Sequence, residues 1–349
     1  MPNVRRWPFV RCFADAAVVF REGVAAALES GALFDNAPTL ALLREAHERN
    51  RRRDLLYRLL DRRSLLPLTA FLELCQEASD EIARHGFFHG CRREVERFRI
   101  ALEVTVSDPA RRLFESGAPI LFTGSHPCLW GPDLWAVAAA LDTLCPGRRD
   151  FLFLTWTLVT ALCPALGPYS APVVVTSRDF DRFTHDERHV ADDRPMGAEA
   201  LFREFTPDVP VPASRRANYQ ALRRMARHWL DGGHALIFPT GGAGTRALWF
   251  SGIGRVARFA SEMLDGHAPD PHIVFFRLEG AHDFLMLAPP LLAPWHPARL
   301  LALGRRRRIA IHFDQVLRLH DWRERFLGMT NRAVARFLQK EFESGSRGS

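Results

Sequence analysis

The sequence predicts an α/β protein in which a mostly parallel central sheet is flanked by helices and preceded by an N-terminal helical domain. From residue 119 onward, short apolar runs typical of buried strands recur, and helical patterns lie between several of them. Before that point, residues 1–112 place apolar side chains three and four apart. We therefore divide the chain into a helical domain at 1–112, an α/β domain at 113–343 and a flexible tail at 344–349.

Each element is predicted from its local pattern. In the first domain, helical patterns cover FADAAVVFREGVAAALES, APTLALLREAHERNRRRDLLYRLLDRR and the segment 67–104, with glycine and proline near their ends. Strands are predicted at 119–124, 151–156, 172–177, 234–240, 272–280 and 308–317. Helices are predicted at 214–231 and 251–265, with a terminal helix at 322–342. The polar insertion at 178–213 is too long for a simple connection and is typical of a lid or binding loop.

The stretch 151–177 has no charged residue, and its length alone would allow a membrane span. Pro164, Gly167, Pro168 and Pro172 interrupt it. Strands buried on both faces of a parallel sheet also give continuous apolar runs. We therefore favour a buried β-α-β unit over a span.

The composition limits the classes of function. The net charge is +7, the pI is about 9.6, and Lys340 is the only lysine, which disfavours a lysine nucleophile. Arginine suits carboxylate and phosphate partners, although an arginine-rich chain also arises from coding bias alone. The six cysteines form no C-x-x-C pair, so we expect reduced thiols and no zinc site. The N-terminus lacks the apolar core of a leader, and we expect a cytoplasmic location, free or at a membrane surface.

The stretch PILFTGSHPCLWGPDL combines a strand end, a histidine and a carboxylate. The strand delivers His126 to the carboxyl edge of the sheet, where open α/β folds bind ligands. Pro132 suits the first position of a helix, which puts Asp133 in the first turn. A neutral imidazole can take a proton while the carboxylate fixes its tautomer. A helix-dipole role for Asp133 and an ordinary loop histidine are the structural alternatives.

The stretch HALIFPTGGAGTR is a strand followed by a glycine-rich turn. Thr240, Gly241 and Gly242 open the turn, and Arg246 follows it. Backbone N–H groups of such a turn can bind an anion, and the arginine can form two parallel hydrogen bonds to a phosphate. The stretch is not a Walker loop, because the Lys-Ser/Thr ending is absent. The chain also lacks the G-x-S-x-G elbow of many serine hydrolases and any nucleic-acid-binding motif.

Together, the two stretches resemble the glycerolipid acyltransferase superfamily, and most closely the soluble chloroplast-type glycerol-3-phosphate acyltransferases. The likeness covers roughly residues 110–320 and includes SRRANYQALRRMARHWLDGGHALIFPTGGAGTR and FFRLEGAHDFLMLAPP. The resemblance implies an acyl thioester donor, bound to acyl carrier protein or coenzyme A, and no metal or other cofactor. It implies that His126 deprotonates the acceptor hydroxyl and that Asp133 is its partner. It also implies a role in lipid biosynthesis.

We assign substrate binding to residues of the two motifs and of the segments that correspond to basic family segments. They are Ser125, Arg178, Arg215, Thr240, Gly241, Gly242 and Arg246.

Two departures from the family pattern bear on the acceptor. Six residues separate His126 from Asp133, where the family has four. Ala243 stands where the family has its first phosphate-binding arginine after Gly-Gly. The first departure raises the alternative of a non-catalytic homologue that binds a carrier protein or a membrane. The second weakens glycerol 3-phosphate as acceptor and leaves open an amine or a specialised metabolite.

Overall fold

The structure is a computed structural model. It describes residues 8–30, 37–55, 57–59, 68–124, 132–145, 150–176, 205–240, 249–264, 270–280 and 307–345. Within these residues, one sheet has seven strands. They are β1 Ala101–Val106, β2 Ile120–Gly124, β3 Phe151–Trp156, β4 Ser170–Val173, β5 His234–Ile237, β6 His272–Glu279 and β7 Arg308–Arg318.

The helices surround this sheet. In chain order they are α1 Pro8–Ser30, α2 Ala37–Arg53, α3 Leu68–His85, α4 Phe87–Arg97, α5 Asp108–Ser116, α6 Pro132–Leu144, α7 Thr157–Leu162, α8 Val211–Leu230, α9 Ser251–Met263, α10 Leu319–Leu327 and α11 Asn331–Gly345. A 3₁₀ helix, Pro164–Tyr169, joins α7 to β4.

The strand order is β1-β7-β6-β2-β5-β3-β4. Every neighbouring pair is parallel except β6 and β7, which are antiparallel. The predicted α/β class with a mostly parallel sheet is therefore confirmed. The stretch 151–177 contains β3, α7, the 3₁₀ helix and β4, as expected for a β-α-β unit. Among the described residues, no helix is both long enough and apolar enough to cross a bilayer.

Residues 101–106 correct the prediction of a wholly helical N-terminal segment. Arg99 has a left-handed φ of 52°, which ends the helical path after α4. The following residues form β1, which pairs in parallel with β7. Leu102, Val104 and Val106 alternate with polar Glu103 and Thr105, which is a strand pattern that the helical prediction for 67–104 overlooked. The predicted C-terminal boundary of the insertion at 178–213 is also wrong, because α8 already begins at Val211.

The two faces of the sheet are covered by different helices. On one face, α4 and α6 pack against side chains such as Ile120 and Phe122 of β2. On the other face, α8, α9 and α11 pack against Leu121 of β2 and Ile237 of β5. A Cβ at Gly254 would lie 2.0 Å from the backbone oxygen of Asn331, so glycine is what lets α9 and α11 approach so closely.

The N-terminal helices contact the sheet domain directly. Ala17 of α1 and Leu43 of α2 share a core with Leu158 of α7 and with Phe205. Residues of α3 and α4 belong to the same core as one face of the sheet. The predicted boundary between 112 and 113 falls inside α5, and the predicted tail begins inside α11. The division into two domains stays a prediction.

Glu94 of α4 makes stability depend on pH. Burial raises the pKa of its carboxyl group from 4.5 to about 7, and repulsion from Glu81 adds to this effect. Arg97 lies 3.4 Å and 3.5 Å from the two carboxylate oxygens, but burial outweighs it. Between pH 4.5 and 7 the folded protein holds a proton that the unfolded chain has released. The free energy of unfolding should therefore fall as pH rises through this range.

We expect Glu94→Gln to remove this dependence. At pH 5 the variant and the wild type should have similar stability, and at pH 8 the variant should be more stable by up to about 3 kcal/mol. Denaturant unfolding at both pH values measures the difference. Glu96→Gln, at an exposed position of the same helix, is the control and should follow the wild type. A Glu94→Gln variant with the wild-type pH slope would contradict the buried-carboxyl interpretation.

Candidate active site

The C-terminal ends of β2 and β5 mark a topological switch point in this fold. The two strands are parallel neighbours, with Thr123 paired to Ile237. After β2 the chain passes to α6 on one face of the sheet, and after β5 it passes to α9 on the other face. Loops that leave adjacent strands toward opposite faces open a crevice at the carboxyl edge, which is where α/β proteins bind ligands. We call this place the switch-point crevice.

Gly124 ends β2 under a tight steric limit. A Cβ at this position would lie 2.0 Å from the backbone oxygen of Phe276 on β6 and 2.7 Å from its ring. Only glycine therefore lets β2 pair closely with β6 at its last residue. The strand end that precedes Ser125 and His126 is fixed by this packing, while both of those residues lie outside the described part of the chain.

Asp133 is fully buried in the first turn of α6. Its Oδ1 atom accepts a hydrogen bond from the backbone N–H of Leu134 at 2.9 Å. A carboxylate is favoured here because the partial positive charge of a helix N-terminus lies beside it. The predicted position of Asp133, in the first turn after Pro132, is thus confirmed. Its predicted contact with His126 involves a residue outside the described ranges and stays a prediction.

The described residues on the two sides of the glycine-rich segment are hydrogen-bonded to each other at the same edge of the sheet. The backbone N–H of Phe250 donates to the backbone oxygen of Pro239 at 2.8 Å. Thr240, the first residue inside this closure, is 1% exposed. Gly241, Gly242 and Arg246 lie between these two ends and outside the described residues, so their predicted substrate contacts stay predictions.

Two buried hydroxyls at the carboxyl edge have no hydrogen-bond partner among the described residues. They are Thr123 Oγ1 at the end of β2 and Thr240 Oγ1 after β5. Buried polar atoms in native proteins are nearly always paired, so the partners of these two hydroxyls lie outside the described residues, in the adjoining segments or in a bound molecule. Sequence reasoning selected Thr240 and missed Thr123. The signal available for Thr123 was a polar residue within an otherwise apolar strand.

Of the two remaining predicted binding residues, the structure describes Arg215. Arg215 lies exposed near the start of α8. The second turn of that helix is fixed to the carboxyl edge, because Asn218 exchanges two hydrogen bonds with the backbone of Val174, at 2.7 Å and 2.8 Å. Arg178 lies outside the described residues. In the described part of the chain, no group of His, Cys, Asp and Glu side chains is arranged to hold a metal ion.

The comparisons with known proteins add no assignment. No family model matches the chain. No curated protein sequence matches it at a significant level. The function of the chain is therefore inferred from the switch point between β2 and β5 and from the motifs that follow these strands.

Proposed function

We propose that the chain is an acyltransferase that moves a fatty acyl group from a thioester to a hydroxyl acceptor. The single observation that carries this proposal is the parallel pairing of β2 with β5, the two strands that lead into the His126 segment and the glycine-rich segment. The buried Asp133 and two threonine hydroxyls that have no partner among the described residues support a polar reaction site near these strand ends.

In the proposed reaction, His126 takes the proton of the acceptor hydroxyl while the acceptor oxygen attacks the thioester carbonyl. Asp133 holds the imidazole and stabilises the cation that forms. Backbone N–H groups of Gly241 and Gly242 stabilise the negative charge on the carbonyl oxygen. The carbon–sulfur bond then breaks, and the leaving thiolate takes the proton from His126. The products are an ester and a free thiol, so neither a redox partner nor a metal is required.

Polar acceptors that carry a phosphate or another anion fit the proposal best. In this proposal Arg178, Arg215 and Arg246 supply the positive charge, and the Thr123 and Thr240 hydroxyls supply hydrogen bonds. Glycerol 3-phosphate is the first candidate. The replacement of a family arginine by Ala243 favours testing an amine and other hydroxyl acceptors beside it. We place the reaction in the cytoplasm or at a membrane surface, and in lipid biosynthesis.

Acyl transfer is tested with purified protein, a panel of acceptors and one long-chain acyl group, supplied as the thioester of either acyl carrier protein or coenzyme A. The panel holds glycerol 3-phosphate, glycerol, a lysophospholipid and a primary amine. Mass spectrometry measures the acylated product, and the free thiol is measured in parallel with and without acceptor. Acceptor-dependent thiol release with formation of an ester or amide is expected. A blank across all acceptors and both donor types would favour the second candidate, a non-catalytic carrier-binding homologue, which the lengthened His–Asp spacing suggests.

A further inference from the structure

Two arginines lie close together where the chain turns from α4 into β1. Arg307 Nη1 donates a hydrogen bond to the backbone oxygen of Phe98 at 2.5 Å. The backbone oxygen of Arg307 accepts a hydrogen bond from the N–H of Ala101 at 2.7 Å. Arg307 therefore contacts the backbone on both sides of Arg99. Burial, and then repulsion from Arg99, lowers the pKa of the Arg307 guanidinium below its usual value. We call Arg99 and Arg307 the arginine pair.

The neighbouring arginines have acidic partners, whereas the arginine pair has none among the described residues. Arg97 pairs with Glu77 and Glu94, and Arg308 pairs with Glu103. One member of the arginine pair is exposed and the other is half-buried, so an anion can reach both. Two guanidinium groups held together in this way are suited to share one doubly charged anion.

The backbone conformation of Arg99 is unfavourable for any residue that has a Cβ. Its φ of 52° is left-handed. Its N–H donates to the oxygen of Glu96 at 2.9 Å, and the N–H of Ile100 donates to the oxygen of Val95 at 3.0 Å, which is the Schellman arrangement that ends a helix. Glycine is usual at this position. An arginine here adds a backbone cost and a second positive charge, which indicates a role for its side chain that glycine could not fill.

The arginine pair lies at the same edge of the sheet as the switch-point crevice. β6 runs parallel to β2, and β7 runs antiparallel to β6, with Ala310 paired to Glu279. The residues that lead into β7 and into its parallel neighbour β1 therefore lie at the carboxyl edge of β2 and β6. The ring of Phe98 stacks on the ring of Trp135, with 5.4 Å between their centroids. Trp135 follows Asp133 by two residues near the start of α6, so the pair lies on the α6 side of that edge.

We propose that the arginine pair binds the phosphate group of a substrate at the border of the switch-point crevice. Its assignment to a substrate rests on the proposed function, whereas phosphate binding itself does not. Each guanidinium can form two parallel hydrogen bonds to phosphate oxygens. A phosphate monoester carries about 1.5 to 2 negative charges at pH 7 and so neutralises both arginines, which a single carboxylate would not. The pair belongs to neither of the two motifs that lead into the crevice.

Two substrates of the proposed reaction carry this chemical group. One is a phosphorylated acceptor such as glycerol 3-phosphate, and the other is coenzyme A as the carrier of the acyl group. Both present phosphate oxygens to the arginine pair, and the kinetic part of the test separates them.

Binding is measured first, with inorganic phosphate and the purified full chain, in the absence of acyl donor and acceptor. The rise in melting temperature with phosphate concentration, at an ionic strength held constant with chloride, gives the affinity. Arg99→Gln and Arg307→Gln should each weaken phosphate binding at least tenfold. Arg93→Gln, at an exposed position of α4, is the control and should keep the wild-type affinity.

Arg99→Gly separates phosphate binding from folding. Glycine adopts the left-handed conformation without cost and removes one of the two repelling charges. Without phosphate, this variant should therefore melt at a higher temperature than the wild type. Its phosphate affinity should still fall at least tenfold, and a damaged fold cannot explain a loss of binding in a more stable protein.

Kinetics then identify the substrate that carries the phosphate. If it is the acceptor, both glutamine variants should raise KM for glycerol 3-phosphate at least fivefold and change kcat/KM for glycerol less than twofold. If it is the donor, the same contrast should appear between acyl-coenzyme A and the acyl thioester of N-acetylcysteamine, which has no phosphate.

Unchanged phosphate affinity in both glutamine variants would overturn the proposal. An equal loss of kcat/KM for substrates with and without a phosphate would also overturn it. If the variants lose phosphate binding but the wild type transfers no acyl group to any acceptor, the proposed function fails while the phosphate site stands.

Discussion

Replacing His126 with alanine is expected to lower acyl transfer by about 10² to 10⁴-fold, because a positioned general base contributes a factor of this size. The loss should appear in kcat, since the base acts on the proton of the bound acceptor. Binding of the thioester should change little. Product formation measured by mass spectrometry, with donor affinity measured separately, distinguishes these two effects.

A second histidine variant is the control for a general effect of removing an imidazole. His320 is exposed near the start of α10, and His320→Ala should retain wild-type turnover. Circular dichroism and the melting temperature should show both variants folded. If His126→Ala turned over the thioester at the wild-type rate, the role of this residue as the base would be excluded.

Replacing Gly124 with alanine is expected to destabilise the fold by about 2 to 4 kcal/mol. The added methyl group would lie 2.0 Å from the backbone oxygen of Phe276, a separation that real side chains do not adopt. Because the obstacle is backbone and not the end of a flexible side chain, either β2 or β6 has to move. Denaturant unfolding at constant pH measures the loss, seen as a lower midpoint at an unchanged slope.

Gly23 provides the control for this substitution. A Cβ at Gly23 of α1 would meet nothing within 4 Å, so alanine should be neutral there or stabilise the helix by about 0.5–1 kcal/mol. If Gly124→Ala were as stable as the wild type, the close pairing of β2 and β6 described here would be wrong at that residue.

The strands of the sheet were predictable where both faces are buried. β3 lies at the predicted residues, and β2, β5 and β6 differ from their predictions only at the ends. β1 was missed because the helical pattern of the preceding residues was extended through its short alternating run, and because its partner, β7, lies about two hundred residues further along the chain. The antiparallel pairing of β6 with β7 was equally hidden, since strand direction depends on connections and not on local composition.

For the candidate site, local patterns predicted where each motif begins, while only the family resemblance implied that the strands leading into the motifs would be neighbours. The adjacency of β2 and β5 follows from the strand order, which no local pattern encodes. The burial of Asp133 agrees with its predicted place in a first turn. The unpaired hydroxyl of Thr123 could not be predicted, because an unsatisfied buried group is a property of the packed surroundings.

The partnership of His126 with Asp133 across the lengthened loop is the central claim, and a double-mutant cycle on acyl-transfer rates tests it most directly. Asp133→Asn keeps the shape of the buried side chain and removes its charge. If the two residues act as one unit, adding Asp133→Asn to His126→Ala should cost little beyond the single histidine change. Rate losses that multiply in the double variant, or an Asp133→Asn enzyme with full activity, would contradict the claim.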